Sequence, residues 1–240
     1  YIHETAGPKL LGRDPLQIER IALDLTPYVG FSGSGAETRG RSAIDVALWD
    51  LLGKVTEQPV FQLLGGLARD KIRTYNTCAG YRYVRSHPDW DTSDWGLESP
   101  SEGPYEDLDA FLNRADELAL DLLGQGITGM KIWPFDHAAK DTDGYYISNE
   151  SLDRCLEPFR KIRQAAGDKM DIMVELHSLW RLPAALKIAE ALEPYNPYWY
   201  EDPVRMDSLP ALSRFAEATR VPVCASETIA GRWSYRDLIE

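Results

Sequence analysis

Three glutamates recur at one interval in the second half of the sequence. Glu175 stands in VELH, Glu201 in YWYED and Glu227 in ASET, with 26 residues from each to the next. Each closes a short apolar or aromatic run, as a carboxylate at the end of a buried strand does. Carboxylates brought to one rim repel: two unit charges about 4 Å apart cost roughly 4 kcal/mol at an effective dielectric near 20. Protons or a cation must offset that. An all-oxygen set with room for water suits Mg2+, whereas zinc favours nitrogen and sulfur ligands and only His177 is near. Taken singly, a glutamate at a strand end is an ordinary helix-start or loop charge. The repetition predicts a shared metal site at Glu175, Glu201 and Glu227.

His177 follows Glu175 by two positions. Residues two apart on a strand share a face, so the pair is expected to look into one space. That makes His177 a candidate general acid, with a purely structural histidine as the plainer alternative. The same period places Lys131 and Trp133 of GMKIWPF on one face. Lys131 could hold a substrate carboxylate, move a proton, or simply pair with an acid. Trp133 is expected to pack or to form one wall of a substrate pocket.

The elements that must position these groups alternate along the chain. Residues 1–66 read as helical: RSAIDVALWDLLGK spaces Ile44, Ala47, Leu48, Leu51 and Leu52 on one face, and Gly53 is expected to stop that helix. From residue 67 to 240, five strand-like segments are each followed by a helical one. The strands are expected over 71–80, 127–135, 171–177, 197–203 and 221–227. A long polar loop is expected over 81–107. Such alternation predicts a parallel sheet with right-handed crossovers, either doubly wound or a (β/α)8 TIM-type barrel. No GxGxxG or GxxxxGKS follows a strand, which weakens the nucleotide-binding alternative. A barrel places its reactive groups at the carboxyl ends of its strands, where the glutamates fall.

Composition narrows the class further. The formal net charge is −12, and no basic run appears, so nucleic acid and anionic membrane are not expected as partners. No apolar run approaches the roughly 20 residues of a membrane span. The three cysteines, Cys78, Cys155 and Cys224, form no CxxC pair and read as reduced thiols, which predicts a cytoplasmic protein. The sequence opens at Tyr1 and closes inside a strand–helix unit, and so reads as part of a longer gene product.

With these residues in hand, the sequence resembles the mandelate racemase/muconate lactonizing branch of the enolase superfamily. RSAIDVALWDLLGK is similar to the characteristic helix of that branch's capping domain. GMKIW, VELH, YEDP and ASET resemble its successive barrel-strand motifs. The resemblance implies part of a helical capping domain over 1–66, then five of eight strands of a (β/α) barrel over 67–240. It implies Glu175, Glu201 and Glu227 as Mg2+ ligands. The implied chemistry is proton abstraction beside a substrate carboxylate through an enediolate. Strand two carries Lys131-Ile132-Trp133 instead of the Lys-x-Lys of many racemases and cycloisomerases. A histidine two residues after the first ligand resembles the sugar-acid dehydratases, where it would help expel a hydroxyl as water. The expected function is therefore dehydration of an aldonate or aldarate, a small carboxylic acid. Racemisation, epimerisation or cycloisomerisation is the alternative, as is a catalytically empty assembly subunit. Homo-oligomers are compatible with the family.

Overall fold

The computed structural model describes residues 1–26, 35–80 and 106–240. These fall into two compact units, Tyr1–Ile72 with Thr228–Glu240, and Arg73–Glu227. The loop expected over 81–107 lies, up to residue 105, outside the described residues. Among the described residues no helix is long and apolar enough to cross a membrane.

The first unit is helical. Its longest helix, Ala36–Thr56, brings Ile44 and Leu48 against a small core of Ala6, Ile21 and Leu25. The helix does not stop at Gly53 as expected. It ends at Glu57, whose backbone is left-handed with φ 53°. A Cβ at Gly53 would lie 2.8 Å from the Gln58 carbonyl oxygen. The glycine therefore serves the close return of the chain toward the short helix Val60–Leu63, not the termination of the long one.

The second unit carries a parallel four-stranded sheet in the order β1-β2-β3-β4. The strands are β1 Gly129–Ile132, β2 Asp171–Glu175, β3 Trp199–Glu201 and β4 Val223–Cys224. Helices Asn149–Ala166, Leu182–Leu192 and Leu209–Ala218 make the successive crossovers. Spatial neighbours are chain neighbours throughout. A doubly wound sheet reverses its order at a switch point; a barrel does not. The sheet is thus a run of consecutive (β/α) barrel units.

The segment 71–80, expected as a further strand, contributes one parallel bridge, Asn76 to Met130. Asn76 Oδ1 accepts the Cys78 N–H at 2.7 Å, and Cys78 turns left-handed at φ 51°. That local turn takes the backbone out of the ladder after one residue.

The helices are amphipathic and close one face of the sheet. Helix Asn149–Ala166 buries Leu152, Cys155, Leu156, Phe159 and Ile162, a spacing that makes one stripe. Its start is capped by Ser148, whose hydroxyl accepts the Ser151 N–H at 3.0 Å. Pro158 sits inside this helix and is buried. Met130, Ile132, Ile172, Val174 and Tyr200 are fully buried, and the Tyr200 hydroxyl donates to the Ala189 carbonyl of helix Leu182–Leu192. Strand alternation sends Lys131, Met173, Glu175, Trp199 and Glu201 to the opposite face.

Candidate active site

The register of β2 and β3 places Glu175 beside Glu201 as direct Cα partners. Both close their strands, and both lie on the face away from the helices. Glu175 is 1% exposed. Lys131 reaches between them from β1: its Nζ lies 2.9 Å from Glu175 Oε2 and 2.7 Å from Glu201 Oε1. The other two carboxylate oxygens also have donors. The His177 backbone N–H donates to Glu175 Oε1 at 2.9 Å, and the Trp199 indole N–H donates to Glu201 Oε2 at 3.1 Å.

One ammonium thus answers two acids, and the energetics show the strain. Burial pushes the Glu201 carboxyl above its ordinary range, the neighbouring Glu175 carboxylate pushes the same way, and Lys131 opposes them. Burial alone would lower the Lys131 pKa, but its bonds to Glu201 and Glu175 outweigh that and hold it above the ordinary value. Lys131 thus pairs with two acids.

His177 does not continue the strand. β2 ends at Glu175, and His177 and Ser178 are left-handed, at φ 49° and 56°. Non-glycine residues held there mark backbone that its surroundings constrain. The period of two therefore stops at Glu175, and the link between the two residues is the backbone hydrogen bond given above. The imidazole Nδ1 lies 2.9 Å from Asp136 Oδ2. Its ring meets Trp133 edge-on at 5.6 Å between centroids, and Trp133 meets Phe111 at 5.1 Å. Trp133 is 6% exposed, a wall beside the imidazole. Burial disfavours the imidazolium, but Asp136, in close contact and negatively charged, with Glu175 and Glu227 behind it, raises the His177 pKa.

The charge of Glu227 acts on His177 and Asp202. The residue follows β4, its side chain is exposed, and its backbone N–H donates to Asp202 Oδ2 at 3.4 Å. Among the described residues no group of three or more acids, histidines or cysteines is close enough to hold a metal ion. The structure brings together Glu175, Glu201 and Lys131 and sets His177 and Trp133 beside them.

Three residues at the site had no part in the sequence argument. Asp136 meets His177 from 41 positions away in the chain, a pairing no local pattern announces. Trp199 lies two before Glu201 on β3, and the strand period could have found it. Asp202 is fully buried with a left-handed backbone, φ 40°. Its Oδ1 has no hydrogen-bond partner among the described residues. Its N–H donates to Cys224 and its carbonyl accepts from Ser178, so it ties the ends of β2, β3 and β4.

Sequence comparison places this architecture. Residues 114–240 match the enolase C-terminal domain-like family model, and residues 1–65 match the mandelate racemase/muconate lactonizing enzyme N-terminal domain. The chain belongs to the mandelate racemase/muconate lactonizing branch of the enolase superfamily, with a TIM-type barrel and an N-terminal capping domain as its fold. It is 28% identical to D-galactonate dehydratase of Ralstonia nicotianae over 242 residues, covering 100% of this chain and 53% of that one. It is also 28% identical to D-gluconate dehydratase of Thermoproteus tenax, covering 95% of this chain and 40% of that one. The crystal structure of an enolase of the mandelate racemase subgroup from Agrobacterium tumefaciens is 51% identical, with a TM-score of 0.80, and is matched by 100% of this chain and 56% of its own length. The chain thus spans about half the length of the relatives it matches.

Proposed function

We propose that the protein carrying this chain dehydrates a sugar acid, an aldonate or aldarate, by β-elimination of water. The observation that carries the reading is the His177–Asp136 contact of 2.9 Å set beside the Glu175–Glu201 pair. A proton donor and a cation-holding pair of carboxylates are the two things such an elimination needs. The galactonate and gluconate dehydratases among the relatives support it.

The pair fits a hard divalent cation. Its donors are all carboxylate oxygens, and it already encloses a positive charge in Lys131. Glu175 and Glu201 would hold Mg2+, with Glu227 as the expected third ligand. Bound there, Mg2+ would supply the positive charge that stabilises the enediolate oxygens.

The residues of the chain do the rest. The α-proton leaves to a base that this constellation does not include, and its electron pair forms the carbon–carbon double bond. The bond from the β-carbon to its hydroxyl breaks; the oxygen takes a proton from His177 and departs as water. The enol then becomes a 2-keto-3-deoxy acid. Asp136 holds the imidazole in place and favours its charged form before transfer. Trp133 walls the site on one side, and the Lys131 ammonium, once a metal takes its place between the glutamates, would be free to pair with a substrate carboxylate. The partner is a small carboxylic acid, and the net charge of −12 disfavours polyanions as partners.

The test is a panel of aldonic and aldaric acids, with semicarbazide to trap a keto product. One acid should yield the keto acid, and His177→Asn should lower its turnover by about a hundredfold or more. A substrate that changes configuration with no keto acid formed would make the protein a racemase or epimerase instead.

A further inference from the structure

We propose that the Lys131 ammonium is a resident counter-cation of the glutamate pair. It occupies the space between Glu175 and Glu201, a divalent cation enters only by displacing it, and Lys131 thereby sets the metal affinity. The proposal rests on the reading of both glutamates as metal ligands.

The geometry leaves a metal little choice. On each glutamate one oxygen is already bound by a donor with limited freedom: the His177 backbone N–H on Glu175 Oε1 and the Trp199 indole on Glu201 Oε2. The two remaining oxygens, Glu175 Oε2 and Glu201 Oε1, are the ones a shared cation would use. A single ammonium holds both, at 2.9 and 2.7 Å. The lysine side chain is 12% exposed and that of Glu175 2%, so water screens these bonds poorly. Charge-assisted bonds of this kind are the strong ones, and both must break before a metal takes the oxygens. The lysine can leave, because its four-carbon stem has free torsions and its head is a point charge without a fixed donor fork. Once displaced, its charge still lies near the incoming cation and repels it. Both effects weaken metal binding.

The experiment is calorimetric titration of Mg2+ alone into the metal-free protein. Lys131→Met and Lys131→Gln are compared with the parent. Arg73→Gln serves as the control, because Arg73 pairs with Asp171 at the opposite end of β2 and removes the same charge at a distance. Both Lys131 variants should bind Mg2+ about tenfold more tightly than the parent, a change of about 1.4 kcal/mol, and Arg73→Gln should match the parent. The rise in Tm on adding Mg2+ should also be larger in the Lys131 variants. A Lys131→Met protein that folds only with Mg2+ present is the same outcome in stronger form. Variants that bind no more tightly than Arg73→Gln, while the parent binds, overturn the counter-cation and leave the metal assignment standing. No saturable binding by any of the proteins overturns the metal assignment itself, and this proposal with it.

Discussion

His177 Nδ1 and Asp136 Oδ2 lie 2.9 Å apart, joining the turn after β2 to the segment after β1. The raised His177 pKa follows from that contact against the opposing effect of burial. In the metal-free protein, NMR titration of the imidazole should place His177 above the ordinary value of 6.5. Asp136→Asn leaves burial less opposed and should bring the midpoint down. A folded pKa above the unfolded one stabilises the fold fully below the unfolded value and loses that contribution as pH rises through the folded value. Asp136→Asn should therefore cost more stability in urea at about pH 5 than at about pH 9.

Glu201 shifts in the same direction. Its carboxyl is raised by burial and by Glu175, so the fold holds its neutral form more readily than its charged form. That contribution is present below the unfolded pKa and is lost as pH rises through the folded one. Glu201→Gln removes the titrating group. The metal-free variant should lose the part of the fall in Tm with rising pH that Glu201 gives the parent. Calorimetry should show Mg2+ binding weakened by at least the roughly 10–100-fold typical of lost outer-shell partners. A variant whose Tm varies with pH just as the parent's does would contradict this titration.

Gly144 supports the turn that carries His177. Its φ is +72°, and a Cβ there would fall 1.9 Å from the Leu179 carbonyl oxygen. Its own carbonyl accepts the Arg181 N–H at 2.9 Å. Backbone cannot yield as a flexible side chain does, so Gly144→Ala should destabilise by about 2–3 kcal/mol. Equilibrium urea denaturation measures it. The same variant should shift the His177 imidazole resonances, because Leu179 lies two residues beyond it.

The cysteines should react in a fixed order. Burial pushes the Cys155 thiol up to about 11 and raises Cys78, which is fully buried, further still. Cys224 is exposed, though burial of its thiol and the charge of Glu201 raise it too. Iodoacetamide at about pH 8, where thiolate fractions set the rate, should modify Cys224 first in the native protein. Mass spectrometry should find Cys78 and Cys155 modified only after denaturation.

The sequence by itself determined the class of architecture and the positions of the acids. Helical and strand periodicities depend on local chemistry, and a repeat of 26 residues is one strand–helix unit however the units pack. Glu175 and Glu201 were legible for that reason, as was the run of parallel strands. What tertiary structure decided is everything that depends on distance in space. Lys131 could have faced a substrate, a base or an acid, and only the β1–β2–β3 register put it between two acids. Asp136 became the partner of His177 because left-handed residues ended the strand period and turned the chain. The Asn76 side chain cut an expected strand to one bridge, and a close backbone return explained Gly53. Periodicity says which residues share a face within one element. It carries no information on which faces meet, because that is settled by packing and hydrogen bonding between residues far apart in the chain.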